Sequence, residues 1–137
     1  ATLPALAKIA SALDIDVRAL FQAETFDNYV TPMGALRELD TGNKMMKYYK
    51  LSGNFRQREI ELLLVVCKPR CHASWESHVG EEFFFILEGE ITFLVDGTTY
   101  HLKEGDTIHF PSHLMHAVEN TTYKEVKMLS AINQLMS

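Results

Sequence analysis

Residues 47–132 consist of short runs rich in β-branched and aromatic residues, with turn signals between them and no helical period. The Asp96-Gly97 pair, which has alternating apolar residues on both sides, is a strong signal for a two-residue hairpin turn. Many short strands joined by turns are typical of a barrel or a sandwich of antiparallel strands. The sequence therefore predicts an all-β fold for this part of the chain.

Two of the predicted strands are apolar on both faces. In the run 58–68, one face carries Ile60, Leu62, Leu64 and Val66, and the other carries Leu63, Val65 and Cys67. In the run 82–87, Glu82, Phe84 and Ile86 share a face, and Phe83, Phe85 and Leu87 share the opposite one. A strand with two apolar faces is buried on both sides or covered by a partner. We therefore expect a homodimer in which barrel strands pack across a symmetric interface.

A cluster of polar residues lies directly before the aromatic run. Glu76, His78 and Glu82 are close together in sequence, and His116 follows later, behind a second strand and turn signal. Zinc, iron, nickel and manganese all accept such a mixture of imidazole and carboxylate ligands. These residues are candidates for binding a divalent metal.

The two segments that carry these residues resemble the paired signature of the cupin family. In the first cupin motif, the second histidine, the glutamate and the closing glycine correspond to His78, Glu82 and Gly89. In the second motif, the first glycine, the proline, the histidine and the asparagine correspond to Gly105, Pro111, His116 and Asn120. Arg70, Glu76 and His113 depart from the pattern at the opening glycine, the first histidine and the glycine after the proline. The resemblance implies a cupin double-stranded β-barrel, or jelly-roll, with a short N-terminal helical segment.

The resemblance also implies that His78, Glu82 and His116 converge inside the barrel mouth, with Glu76 as a fourth metal ligand. The alternative is a metal-free cupin in which these side chains hydrogen-bond one another around a water. A small organic ligand would lie against the apolar interior, and the residues predicted to bind it are Phe84, Ile86, Phe110, His113 and Met115.

Residues 1–21 resemble the closing part of a phage-repressor-like helix-turn-helix domain, with a proline-containing helix, an Ala-Leu-Asp turn and a final Leu-Phe. A helical arm that packs on the barrel is the alternative. Residues 22–46 show no sustained period and are interpreted as a linker with room for one short strand. Residues 47–137 form the predicted cupin sensor domain.

The net charge of -5 argues against nucleic-acid binding by these residues, because phosphate binding needs a clustered positive surface. We expect DNA to be bound only through N-terminal residues that precede this chain. No apolar run reaches the ~20 residues of a membrane span. Two closely spaced cysteines do not form a disulfide framework, which favours a cytoplasmic location.

A cupin barrel joined to a helix-turn-helix ending resembles a common bacterial regulator architecture. We therefore expect the effector-sensing and dimerisation domain of a transcriptional regulator, which binds a small molecule in the barrel. The alternative is a metal-dependent cupin enzyme, an oxygenase or isomerase. No motif pairs a nucleophile with a base, so catalysis would have to come from the metal. The sequence does not identify the effector, the metal, the operator or the direction of regulation.

Overall fold

The computed structural model describes residues 27–133, and the predicted helices of residues 1–21 lie outside this range. The described part contains nine β-strands and one short 3-10 helix, Met33–Ala35. The strands are β1 Arg37–Leu39, β2 Met46–Lys50, β3 Ile60–Cys67, β4 Glu81–Glu88, β5 Ile91–Val95, β6 Thr98–Leu102, β7 Thr107–Pro111, β8 His116–Glu119 and β9 Val126–Asn133. None of the described segments is a helix long and apolar enough to span a membrane.

The strands form two antiparallel sheets. The larger sheet has the order β1-β2-β3-β9-β4-β7, and the smaller has the order β6-β5-β8. Buried side chains from both sheets meet between them, such as Phe84 of β4 and Phe93 of β5, whose ring centroids are 4.9 Å apart. Two antiparallel sheets around one apolar core are the architecture of a jelly-roll barrel. The prediction of an all-β fold is confirmed.

Residues 71–78 run alongside β8 as an irregular antiparallel ribbon, which we call the ribbon. Isolated bridges pair His72 with Glu119 and Glu76 with His116. The ribbon leads from the turn after β3 towards the start of β4. It therefore holds the residues before β4 against the residues at the start of β8.

The interior of the larger sheet is polar at one end and apolar at the other. Ile132 of β9 pairs with Glu82 of β4 on one side and with Glu61 of β3 on the other. Towards the other end of these strands, the corresponding interior row is apolar and consists of Ile86, Met128, Val65 and Tyr48. The barrel thus presents two buried carboxyl groups at one end and hydrocarbon at the other.

The outward side of the larger sheet is also apolar. The register places the following side chains on it in two adjacent rows, which we call the outer face: Phe83, Ala131 and Leu62, then Phe85, Leu129, Leu64 and Tyr49. Leu62 is 41% exposed and Leu129 is 37% exposed. The prediction that β3 and β4 carry apolar residues on both faces is confirmed, and only the inner face belongs to the core.

The segment predicted as a linker contributes to the larger sheet. The 3-10 helix and β1 both lie within residues 22–46, and β1 pairs with β2 at the edge of the sheet. Strand β2 begins at Met46, which is fully buried. The part of the linker that the structure describes is therefore packed against the barrel.

Candidate metal centre

Three side chains meet at the polar end of the barrel. His78 ends the ribbon, Glu82 is the second residue of β4, and His116 is the first residue of β8. Glu76 and His116 exchange two backbone hydrogen bonds of 2.9 Å, in which each N–H group donates to the other residue's carbonyl oxygen. The N–H group of His78 donates to the carbonyl oxygen of Ser112 at 3.0 Å. These bonds hold the two histidines against the same stretch of backbone.

Both histidine rings approach one carboxylate oxygen. Nε2 of His116 lies 2.9 Å from Oε2 of Glu82, and Nε2 of His78 lies 3.2 Å from the same atom. Ligand atoms of the three residues lie within 4.8 Å of one another. Glu82 and His116 are buried, while the side chain of His78 is 14% exposed. The predicted convergence of these three residues is therefore present.

Backbone carbonyl groups determine which ring nitrogen of each histidine carries the proton. Nδ1 of His78 lies 3.0 Å from the carbonyl oxygen of Val79, and Nδ1 of His116 lies 2.6 Å from that of Leu114. A carbonyl oxygen only accepts hydrogen bonds, so each Nδ1 carries the proton. In the neutral rings, each Nε2 then directs a lone pair at the Glu82 carboxylate. Such a cluster of acceptors needs a cation, and backbone carbonyls that orient histidines in this way are typical of metal sites.

Two atoms of the group have no hydrogen-bond partner of good geometry within residues 27–133. These are Oε1 of Glu82 and Nε2 of His116, and both are inaccessible to solvent. Nε2 of His116 is close to the carboxylate, at 2.9 Å, yet it is not aligned for a hydrogen bond. Buried polar atoms without partners are uncommon, and a bound ion or water is one explanation for them. The donor set of two imidazoles and one carboxylate fits a borderline divalent metal.

The charges of this group stabilise one another. Burial raises the pKa of Glu82, but the close contacts of its carboxylate with the His116 and His78 rings, and the positive charge of these rings when they are protonated, outweigh burial and lower the pKa below its ordinary value. Burial lowers the pKa of His116, but Glu82 and the carbonyl group of Leu114 outweigh it and raise that pKa. Glu82 is therefore an anion at neutral pH, and a proton on His116 is the alternative to a metal ion.

The Cupin domain family model matches residues 63–132, which is half of the chain. The chain belongs to the cupin family. The matched range includes all three residues of the site, His78, Glu82 and His116.

Two curated relatives match part of this cupin. The helix-turn-helix-type transcriptional regulator PuuR of Escherichia coli K12 is 35% identical over 54 residues, which are 39% of this chain and 29% of that protein. An uncharacterised protein of Methanocaldococcus jannaschii is 35% identical over 52 residues, which are 38% of this chain and 42% of that protein. The match therefore spans less than half the length of either relative.

Solved structures confirm the cupin fold. An RmlC-like cupin from Shewanella frigidimarina superposes with a TM-score of 0.67 at 18% identity, over 77% of this chain and 89% of that one. The cupin domain of an XRE family transcriptional regulator from Enterobacter cloacae gives 0.59 at 19% identity, over 68% and 100%. A sugar phosphate isomerase from Silicibacter pomeroyi gives 0.61 at 16% identity, over 75% and 74%. Regulators and an enzyme thus share this fold.

Glu76 lies beside the three residues. Its backbone pairs with that of His116, but its carboxylate is not among the ligand atoms that lie within 4.8 Å of one another. Its charge contributes to the raised pKa of His116. A role for Glu76 as a fourth ligand stays a prediction.

The residues predicted to bind the small molecule are in three environments. Phe110 is buried and its ring centroid is 4.9 Å from that of His116, and Phe84 packs behind it at 6.5 Å. Ile86 is fully buried in the apolar row away from Glu82. His113 is exposed in the turn before β8 and Met115 is 51% exposed. Met115 directly precedes β8, and its part in ligand binding stays a prediction.

A buried ion pair at the same end of the barrel was not predicted. Arg58 Nη1 lies 2.8 Å from Oε1 of Glu61, and the hydroxyl group of Ser52 donates to the same oxygen at 2.5 Å. Burial raises the pKa of Glu61 more than these partners lower it. The burial of Glu61 could have been predicted from the alternation of β3, because Glu61 falls on the same face as Leu63, Val65 and Cys67.

Proposed function

We propose that this cupin barrel is the effector-sensing and dimerisation domain of a helix-turn-helix transcriptional regulator. A small molecule would bind beside His78, Glu82 and His116, through a divalent metal held by these three residues. The observation that carries the proposal is the convergence of two oriented Nε2 atoms on one buried carboxylate. Iron, nickel, zinc and manganese are all compatible with these ligands.

The relatives support the regulatory part of the proposal. PuuR is by name a helix-turn-helix-type transcriptional regulator, and the similar domain of Enterobacter cloacae comes from an XRE family regulator. Residues 1–21 resemble the end of a helix-turn-helix domain. The acidic net charge favours DNA binding by that domain and not by the barrel. The barrel would then supply the sensor and the dimer contact.

The surroundings of the three residues favour a ligand with a polar head and an apolar body. Oε1 of Glu82 is buried and free to accept a hydrogen bond from a ligand donor. The ring of Phe110, 4.9 Å from the His116 ring, offers an apolar wall. A bound divalent ion would add positive charge for a carboxylate or amine group of the effector. Binding sites for small molecules use a few polar contacts of this kind to orient the ligand.

The outer face supports the dimer. Its two rows of apolar side chains cross four neighbouring strands, from Phe83 and Phe85 on β4 to Tyr49 on β2. A second copy is the proposed occupant, because a symmetric dimer pairs the same patch on both subunits. Contiguous exposed apolar patches on a sheet mark interaction sites in soluble domains. Strands β3, β4 and β9 carry both this face and, on the inside, the wall of the metal centre.

This arrangement allows a ligand to influence the dimer. Glu82 of β4 faces the barrel interior, and its neighbour Phe83 lies on the outer face, where the proposed partner would pack. A ligand that has different affinities for two packings of the outer face would shift the population between them. The DNA affinity of the attached helix-turn-helix domains would change by the same coupling free energy.

The experiment uses the full-length gene product that contains this sequence. Its binding to DNA that flanks its own gene is measured by gel shift, with and without each of the four metals. We expect binding that changes with metal in the wild type and does not change with metal in the Glu82→Gln variant. Absence of DNA binding in every condition contradicts the regulator proposal, and an equal metal response in Glu82→Gln contradicts the proposed site.

A metal-dependent cupin enzyme is the second candidate. Two imidazoles and one carboxylate leave open positions on a metal, as in non-haem iron oxygenases, and a sugar phosphate isomerase has a similar fold. This alternative predicts turnover by the metal-loaded protein that is abolished in His78→Ala and in Glu82→Ala. Turnover by a protein that binds no DNA would replace our first proposal with the second.

A further inference from the structure

The two cysteines of the chain meet at the apolar end of the barrel. Cys67 ends β3 and Cys71 follows it across a short turn, where Arg70 adopts a left-handed φ of 64°. Both thiols are free and buried, at 0% and 2% exposure, and their side chains are hydrogen-bonded to each other. The turn after β3 therefore brings the strand cysteine and the loop cysteine together.

The hydrogen bond makes the two sulfurs chemically different. Donation from Cys67 lowers the pKa of Cys71 more than burial raises it. The same contact, together with burial, raises the pKa of the Cys67 thiol well above its ordinary range. Cys71 is therefore the better nucleophile, because the thiolate is the reactive form of cysteine. Cys67 is placed as the sulfur that resolves an oxidised Cys71.

The turn that carries Cys71 is clamped by one asparagine. The N–H group of Asn120 donates to the carbonyl oxygen of Cys71 at 2.7 Å, and its side-chain amide donates to the carbonyl oxygens of Lys68 at 3.0 Å and Cys67 at 3.3 Å. Asn120 follows β8 directly, and β8 begins with His116. The backbone of the cysteine turn is thus hydrogen-bonded to the residue that directly follows the strand carrying His116.

Cys71 is also the first residue of the ribbon, which ends at His78. Backbone hydrogen bonds join the ribbon to β8: Ala73 donates to Val118 at 2.8 Å, and Glu76 and His116 donate to each other at 2.9 Å. A displacement of Cys71 is therefore passed along this paired segment towards His78.

We propose that Cys67 and Cys71 are a redox-sensitive dithiol site, which a peroxide converts to an intramolecular disulfide, and that this reaction moves the ribbon. The proposal is independent of the proposed regulatory function. The Cys71 thiolate attacks a peroxide oxygen and the O–O bond breaks. Hydroxide departs and takes up the proton that Cys71 has lost, which gives one water and a sulfenic acid on Cys71. The Cys67 sulfur then attacks the Cys71 sulfur, the S–O bond breaks, and the departing hydroxide takes up the Cys67 proton to form the second water. Overall, two thiols and one hydrogen peroxide give one disulfide and two waters.

The first test treats the folded protein with hydrogen peroxide, then unfolds it and alkylates the remaining thiols. Peptide mapping is expected to show that Cys67 and Cys71 lose reactivity together, in a monomeric product, and that dithiothreitol restores both. In Cys67→Ser and in Cys67→Ala, Cys71 is expected to stop at the sulfenic acid, which dimedone traps. Independent loss of the two thiols, cross-linking between chains, or retention of both thiols in the folded protein would overturn the proposal.

The second test measures the ribbon itself. Trp75 is the single tryptophan of the chain, and it lies in the ribbon between Cys71 and His78 with 51% of its surface exposed. Its fluorescence emission is expected to shift when the disulfide forms and to return on reduction. The same peroxide treatment of Cys67→Ser, which cannot form the disulfide, is expected to leave the emission unchanged. A wild-type emission that stays constant through complete disulfide formation would overturn the movement of the ribbon.

Discussion

Truncation of Leu62 to alanine tests whether the outer face joins two copies of this cupin. Leu62 is on β3 and is 41% exposed, and it shares its row with Ala131 and Phe83. Full burial of a leucine side chain contributes about 1.5–3 kcal/mol, so covering the remaining exposed fraction contributes about 0.6–1.2 kcal/mol. The dimer contains the residue twice, which gives about 1.2–2.5 kcal/mol, or an increase of about eightfold to sixtyfold in the dimer dissociation constant.

The assay is sedimentation velocity over a range of protein concentrations. Met115→Ala serves as the matched control, because Met115 is similarly exposed but directly precedes β8 of the other sheet. We expect the Leu62→Ala dimer to dissociate at higher concentration than the wild type and the control to behave as the wild type. A wild type that is monomeric throughout, or equal shifts in the two variants, would refute the proposed interface.

Three further predictions concern single residues. In Glu82→Gln, the pKa of His116 is expected to fall in a metal-free NMR titration, because Glu82 helps to raise it; an unchanged pKa would contradict the contact. The pKa of Glu61 is raised above 4.5, so its contribution to stability is present below pH 4.5 and is lost as pH rises through the folded-state pKa. Urea unfolding should therefore show that the free energy of unfolding of the wild type, relative to that of Glu61→Gln, decreases as pH rises from 4.5 through the folded-state pKa of Glu61. A pH-independent difference between the two proteins would contradict burial as the main cause of the raised pKa. Gly89 and Gly97 both have a left-handed φ, of +85° and +80°, but a Cβ at Gly89 would lie 3.0 Å from the carbonyl oxygen of Glu125, whereas Gly97 has open space around it. Because only Gly89→Ala adds this steric contact, it is expected to cost about 1–3 kcal/mol more than Gly97→Ala in unfolding experiments, and equal costs would refute this.

The features that sequence could predict depend on spacing along strands. His78, Glu82 and His116 could be related because each lies next to a turn or strand signal, and the match to two motifs implied that they converge. The inward face of β4 followed from alternation, and so did the apolar character of both faces of β3. Local periodicity determines which side chains share a face.

The remaining features depend on contacts between strands that spacing does not determine. The hydrogen bond between the Cys67 and Cys71 thiols depends on how the chain turns after β3. The pairing of Arg58 with Glu61 depends on the turn before β3. The exposure of Met115, which directly precedes β8, likewise depends on how the chain approaches that strand. The orientation of the histidine rings requires the positions of backbone carbonyl groups, which only the folded chain provides.

The most direct test of the metal centre is elemental mass spectrometry on the untagged protein after incubation with iron, nickel, zinc or manganese. Glu81→Gln is the matched control for Glu82→Gln, since Glu81 is the neighbouring residue of β4 and its side chain is exposed. The account predicts about one equivalent of metal per chain in the wild type and in Glu81→Gln. It predicts none in Glu82→Gln, with the same circular dichroism spectrum for all three proteins. Equal metal content in Glu82→Gln, or no metal in the wild type with any of the four ions, would contradict it.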